Sequence, residues 1–371
     1  MIKLIYANTK NSEMYYAVKM QIPDAFFWID TGNKKYVFLD HREFKVFQEK
    51  NKNKNIELLL LNDYLKKAEN NQEKIPTSHK LAFLLMEKFC IKDKIIEVPI
   101  SFPLDLADFL KDKGFEVRPV RDFFSKRIQK NSQEIKEIKK SIQLNYLAFE
   151  KIEEILKNSS IKGNKIIYKS KILTSEFLKQ EVEWLLFKNR MITSQGLIIS
   201  SGEQTVIPHH MGEGPILANQ TIICDIFPQH RDSGYFADMT RTYFKGEPSA
   251  EIKKIYNTVL EAQETAIKMI KPGIKAYKIH QACVKIILDN GFDVGNKGFV
   301  HNTGHGIGID IHEEPYLKND SETVLREGQV FTVEPGLYYQ GLGGVRIEDN
   351  ILVTKKGYEN LTNYPKKFII K

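Results

Sequence analysis

Cysteine is scarce in this 371-residue chain. Cys90, Cys224 and Cys283 stand apart, with no CxxC pair. That argues against a disulfide framework and a cysteine-built zinc site, and it fits a reducing cytoplasm. Long apolar runs are missing too. The longest clean one, Leu81 to Met86, falls far short of the roughly 20 residues that span a bilayer, so no membrane partner is expected. The opening residues, MIKLIYANTKNSEMYY, contain no apolar segment of the secretion-signal kind. There is no fixed-period repeat and no low-complexity tract.

What is present can build a large core. Apolar residues make up 42% of the chain and charged residues 27%. At about 100–200 residues per domain, the length implies two domains. The net charge of +8 raises the possibility of a nucleic-acid partner, but its distribution argues against one. Residues 201–240 carry five acids and one base, and residues 301–350 carry nine acids and three bases. The positive excess is lysine scattered elsewhere, as on an ordinary solvated surface. Two acidic segments in a basic chain are what need explaining.

The first third alternates strand and helix patterns, which predicts an α/β domain over residues 1–130. AFFWID (25–30) and KYVFLD (35–40) flank a Thr31–Lys34 turn and predict a hairpin. Residues 56–63, 94–100 and 115–120 read as buried strands, with helices near 78–90 and 104–113. A Lys/Glu-laced helix is expected from Ser132 to Leu156, either packed along one face or lying on the surface. Further helices are expected at about 174–191, with Thr174 or Ser175 as N-cap, at 249–270, and after the Pro272-Gly273 break up to Gly291. Residues 131–371 are expected to form the second domain. From 220 onward the strand-like runs are TIICDIF, YFADMTRTYF, QVFTVEPGLYY and GGVRIEDNILVT.

Four acids sit in these apolar runs: Asp225, Asp238, Glu334 and Glu348. One such residue alone reads as the outward face of a strand. Buried singly, it would be costly as a charge and would take up a proton. Four in one domain, joined by histidines, point to divalent cations, which hold converging carboxylates together. The histidine motif is GHGIGIDIHEEP, residues 304–315. In an extended segment His305 and His312 would face opposite ways, so a turn must bring both to one site. His301 lies four residues before His305, and the upstream pair His209-His210 adds two more imidazoles.

The ordered set Asp225, Asp238 in ADMTRT, His305 in TGHGIG, Glu334 in VEPG and Glu348 in VRIED resembles the five-ligand site of the pita-bread metallopeptidases. These include methionine aminopeptidase, prolidase and aminopeptidase P. The resemblance covers 171–371 through motifs and the N-terminal part through size and pattern. It implies an α+β fold: a curved antiparallel sheet flanked by helices with internal pseudo-twofold symmetry, preceded by a smaller α/β domain. It also implies two divalent ions, manganese ahead of cobalt, zinc or iron. Asp225 would chelate one ion, His305 and Glu334 the other, and Asp238 and Glu348 would bridge. A hydroxide shared by the ions would attack the peptide carbonyl, with Glu334 moving the proton. His209, or else His210, matches the upstream histidine. His301 and His312 match substrate-side histidines that hold the peptide and the oxyanion. Arg346 would neutralise excess charge beside Glu348 or Asp238. The implied substrate is a proline-containing peptide cleaved at Xaa-Pro, and the implied assembly is a homodimer.

Two departures stand out. Phe227 replaces the usual glycine two residues after the first aspartate, and the 13-residue gap from Asp225 to Asp238 is two longer than the commoner spacing. Asp232 lies inside that gap as a rival ligand; Asp225 is preferred because Asp232 sits in a turn-like RDSG. The domain ahead of the motifs favours the proline-specific members over methionine aminopeptidase. Dipeptides and longer peptides stay open. The rival readings are a non-catalytic peptide-binding protein on the same fold, a metal-free creatinase-like hydrolase and a nucleic-acid binder. The filled ligand set disfavours the first two, and the missing basic stripe the third.

Overall fold

The computed structural model describes residues 2–51, 53–69, 75–90 and 94–371, and the chain divides after Arg127 into the units Met1–Arg127 and Ile128–Lys371. In the first unit, strands β1 (Ile2–Ala7), β2 (Phe26–Asp30), β3 (Lys35–Leu39), β4 (Ile56–Leu60), β5 (Ile95–Pro99) and β6 (Glu116–Val120) form one sheet in the order β4-β3-β2-β1-β5-β6. Its helices are α1 (Ser12–Val18), α2 (His41–Lys50), α3 (Asn62–Glu69), α4 (Thr77–Phe89) and α5 (Leu104–Asp112). The predicted hairpin is β2–β3, closed by the Thr31 N–H donating to the Lys34 carbonyl. Period-two alternation fills both faces of the sheet. Leu4, Phe27, Ile29 and Phe38 pack with α4, while Ile5, Trp28 and Val37 pack with Met14 and Phe47.

The expectation of buried strands fails at β4, which is largely half-buried, and at β6, which is largely exposed. Both are edge strands, so one side of each lacks a neighbour. Asn62 and Asp63, read as the end of a strand, open α3 instead. Strand β1 and helices α1 and α2 were not anticipated. Helix α2 buries only Phe47 among polar neighbours, so its apolar periodicity is faint.

The second unit opens with α6 (Ser132–Lys157), the predicted long helix. A capping box between Asn131 and Glu134 starts it. Ile138, Ile142, Phe149, Ile152 and Leu156 recur at helical spacing and are buried, so one face packs inward. Next come β7 (Ser160–Lys162), β8 (Lys165–Tyr168), β9 (Lys171–Ile172), α7 (Ser175–Lys188), β10 (Met191–Ile192), β11 (Ile198–Ser201), β12 (Thr221–Ile226), β13 (Gln229–His230) and β14 (Met239–Phe244). Helices α8 (Ala250–Lys268) and α9 (Ala276–Asp289) follow. The chain ends with β15 (Gly304–Gly306), β16 (Glu313–Leu317), β17 (Val330–Val333), β18 (Gly336–Tyr339), β19 (Gly343–Arg346), β20 (Asp349–Val353) and β21 (Tyr358–Asn360). Thr174 caps α7 and Ser249 caps α8.

The ladders of this unit are antiparallel, and each half sets a helix pair on a sheet. Helices α6 and α7 share a core with β12: Phe149, Ile152, Leu178, Val182, Ile222 and Cys224. Helices α8 and α9 share another with β17 and β20: Val259, Ile279, Cys283, Phe331, Val333 and Ile351. Cys90, Cys224 and Cys283 are all buried and free.

The strand readings need one correction that matters for the site. QVFTVEPGLYY and GGVRIEDNILVT are each two strands, and YFADMTRTYF is a strand only from Met239. Strand β17 pairs with β20, whereas β18 pairs with β19. The chain therefore changes sheets across Glu334-Pro335 and across Ile347-Glu348. Only Asp225 lies inside a strand. Asp238, Glu334 and Glu348 lie just beyond strand ends, where the backbone leaves its ladder and the side chain is released from strict alternation. Two of these amides are satisfied across the break: Glu334 N–H donates to the Thr303 carbonyl and Glu348 N–H to that of Thr240.

Candidate metal centre

The breaks between sheets open onto a single cavity of about 410 Å³. Nine sequence-predicted residues line it: His209, Asp225, Asp238, His301, His305, His312, Glu334, Arg346 and Glu348. Strand β12 places Asp225 opposite Thr240, on the adjacent strand β14. Asp238 precedes β14 by one residue. Strands β15 and β16 fold back on each other through the predicted turn, so His305 and His312 meet, with ring centroids 4.2 Å apart and nearly perpendicular. Gly304 permits this: a Cβ there would lie 1.9 Å from the Thr332 carbonyl oxygen of the neighbouring strand.

Asp238, His305 and Glu348 each offer one donor atom, all within 4.8 Å of one another and all buried. His305 Nε2 lies 3.2 Å from Glu334 Oε1 and 3.7 Å from Asp238 Oδ2. Asp225 joins from the β12 side, its Oδ2 held at 2.6 Å by Arg346 Nη2. Arg346 was expected to neutralise charge beside Glu348 or Asp238; its direct carboxylate partner is Asp225, and its charge also opposes the rise of Asp238. Arg346 ends β19 beside β12, and Glu348 lies past that strand's end, where Thr240 Oγ1 donates to its Oε2 at 2.7 Å. His209 lines the cavity, whereas His210 Nδ1 accepts from the Gly212 amide within a turn. Asp232 lies outside the cavity lining and forks with Arg190 at the surface. The residues between Asp225 and Asp238 build β13, which pairs with β10.

Hydroxyls that the sequence reading missed align these groups. Thr332 Oγ1 accepts from the His305 amide at 3.1 Å and donates to Glu334 Oε1 at 3.0 Å. Tyr338 Oη accepts from Arg346 Nη1 at 2.8 Å and donates to His301 Nε2 at 2.9 Å, while His301 Nδ1 donates to the Asn302 carbonyl at 2.7 Å. The signal was there in part. Asp238/Thr240, Thr332/Glu334 and Arg346/Glu348 are pairs two residues apart in apolar runs, the spacing that shares one face of a strand.

Four carboxylates here face one guanidinium. Burial, then the Asp225 charge, pushes Asp238 well above the ordinary carboxylate range. Burial, then the charge of Asp238, does the same to Glu348. Burial also raises Asp225, against the pull of Arg346. Burial alone would raise Glu334 and depress His305, but their shared hydrogen bond and opposite charges win, holding Glu334 at about 2 and lifting His305 to about 9. Burial lowers His301 to about 4, so it is neutral. Asp225 Oδ1, Asp238 Oδ1 and Glu348 Oε1 are buried with no hydrogen-bond partner. Orphaned carboxylate oxygens beside an imidazole fit a divalent cation, which supplies the missing positive charge.

Residues 136–355 match the model of metallopeptidase family M24. The chain belongs to that family. The M24 chain is 33% identical over 282 residues to an Xaa-Pro dipeptidase of Pyrococcus horikoshii, covering 74% of this chain and 75% of that protein. Its fold is similar to an Xaa-Pro dipeptidase structure from Bacillus anthracis, with TM-score 0.82 and 26% identity over 100% of this chain and 95% of that one. It is also similar to the prolidase structure from Pyrococcus horikoshii, with TM-score 0.77 and 28% identity over 99% and 95%. The fold is thus the pita-bread α+β fold, and M24 enzymes depend on metal. In this M24 peptidase, Thr332→Val should keep the strand packed but release Glu334 and the His305 amide. Metal affinity or turnover should fall about 10–100-fold, the usual cost of losing a group that orients metal ligands. Calorimetric titration of the metal-free variant with manganese, alongside its kcat, checks this; both unchanged would remove Thr332 from the site.

Proposed function

We propose that this M24 peptidase hydrolyses Xaa-Pro bonds with two divalent ions, manganese first, held by Asp225, Asp238, His305, Glu334 and Glu348. The observation that carries the reading is the set of orphaned buried oxygens on Asp225, Asp238 and Glu348, converging with His305 and Glu334 on one cavity. Asp238 and Glu348, whose oxygens converge with His305 within 4.8 Å, would be the ligands shared by both ions in this reading. Such ions supply Lewis acidity toward a carbonyl and toward water near neutral pH.

The chain's own groups supply the rest. Glu334, ionised and aligned by Thr332, takes the proton of the attacking water and returns it to the proline nitrogen. His301 is held neutral, with Nε2 and Nδ1 both engaged, so it shapes the cavity wall around Tyr338. Partial desolvation, then the neighbouring His305, lowers His312 from the ordinary histidine value, and His312 makes no hydrogen bond to the described residues. It is the imidazole left to hold the peptide and the developing oxyanion. His209, on the exposed rim, contacts the peptide beyond it. A homodimer in the cytoplasm completes the reading; three buried free thiols support the reducing compartment, and no helix among the described residues is long and apolar enough to cross a membrane.

The test is hydrolysis of Xaa-Pro dipeptides, Xaa-Pro-Yaa tripeptides and matched Xaa-Ala peptides, with and without chelator. Manganese-dependent cleavage confined to proline peptides is expected, and the dipeptide-to-tripeptide ratio fixes the substrate length. Peptide binding without cleavage would overturn the proposal.

A further inference from the structure

Lys130 carries a charge in the interior of the second unit. Its side chain is 1% exposed, and its ammonium pairs with Glu313 Oε1, on a carboxylate that is 11% exposed. Lysine is almost never buried so deeply without a partner. The pair lies at the turn that carries His312. Glu313 follows His312 directly, and its carboxylate lies across the turn against Gly308. A Cβ on Gly308 would sit 2.6 Å from Glu313 Oε1. Lys130 is fixed from its own side: its amide donates to the Gly328 carbonyl at 2.8 Å, and Nζ reaches the Ile128 carbonyl at 3.5 Å. The far side of the turn is tied down by the Phe236 amide, which donates to the Gly308 carbonyl at 2.8 Å.

His312 itself makes no hydrogen bond to the described residues, unlike His301. Its place is set by ring contact with His305 and by the backbone of residues 307–313. We infer that Lys130 is a positioning residue for the reaction: through its buried bond to Glu313 it locks the 307–313 turn and so aims His312 at the peptide. Lys130 touches neither the ligand carboxylates nor the cavity, so its effect must pass through His312. A misplacement of about 1 Å at such a group costs turnover heavily. The inference rests on the proposed role of His312 in Xaa-Pro hydrolysis.

The test is a double-mutant cycle with metal content measured throughout. Lys130→Met should lower kcat about 10-fold, with little change in KM and with wild-type manganese content. In a His312→Ala background the same change should cost less than about 2-fold, because the group it aims is gone. An equal fall in both backgrounds, or no fall in either, overturns the inference. Lys130→Met leaves the Glu313 carboxylate without its ammonium, which costs stability by itself, so Lys130→Met/Glu313→Met serves as the second variant. Removing both charges should restore the melting temperature but not kcat; restoring both would make the pair purely structural. Hydrogen exchange of the metal-free protein reads the turn without any assay. Amides 306–313 should lose protection in Lys130→Met while the β11-β12-β14 amides keep theirs, and unchanged protection at 306–313 overturns the inference. If wild-type protein cleaves no Xaa-Pro peptide, the functional reading fails, while the exchange arm still judges the clamp.

Discussion

Asp238→Asn is expected to lower kcat/KM on an Xaa-Pro peptide by at least about 1,000-fold, roughly 4 kcal/mol of transition-state stabilisation. The metal-free variant should nonetheless melt no lower than metal-free wild type at pH 8. Both halves follow from one arrangement. Asp238 is buried, sits 3.7 Å from His305 and belongs to the triad with Glu348. Its charge is opposed by burial and by Asp225, and its Oδ1 has no partner. Without a cation that carboxylate is a cost to the fold. With one it is a ligand shared by the whole cluster. The amide keeps the shape and drops the charge, so the fold gains where the chemistry loses. Melting scans with and without manganese, run beside the assay, check it. A variant that keeps its rate, or one that melts lower in both conditions, contradicts the assignment.

The second large effect is the response of the metal-free protein to pH. His305 is lifted from its ordinary 6.5 to about 9 by Glu334 and Asp238 against the pull of burial. A group raised in the folded state contributes stability that is complete below its unfolded value and lost as pH rises through its folded value. The interval from 6.5 to about 9 corresponds to about 3 kcal/mol. The raised carboxyls of Asp238 and Glu348 push in the same direction, since the fold must give up protons it prefers to keep. His301, lowered to about 4, adds stability as pH rises through its unfolded 6.5, so it opposes them only at the lower edge of the window, within about one unit of that value. The lowered Glu334 acts only below 4.5. Metal-free protein should therefore lose stability from pH 6.5 to 9. The metal-loaded protein should hold, because bound cations replace the missing protons. The gap between their melting temperatures should widen across that window; a constant or shrinking gap would mean that the cluster does not bind the cation.

The sequence showed the chemistry more readily than the backbone that serves it. Asp225, Asp238, His305, Glu334 and Glu348 were legible because acids in apolar runs are costly and the glycine-flanked histidines are unusual. The breaks at Glu334-Pro335 and Ile347-Glu348 were not, since Val, Ile and Tyr continue on both sides and nothing local reports a change of sheet. The partner of Arg346 depended on which strand lies beside β19, a long-range fact. Lys130 looked like any lysine of the scattered excess; only the folded chain places it against Glu313, 183 residues away.

The most direct test is metal stoichiometry. Protein stripped by chelator, dialysed against manganese and analysed by mass spectrometry should hold two ions per chain. Xaa-Pro hydrolysis should return in step with loading, and Glu348→Ala should hold at most one ion and stay inactive. A chain that retains no ion, or that cleaves Xaa-Pro peptides at its full rate in excess chelator, would contradict the account.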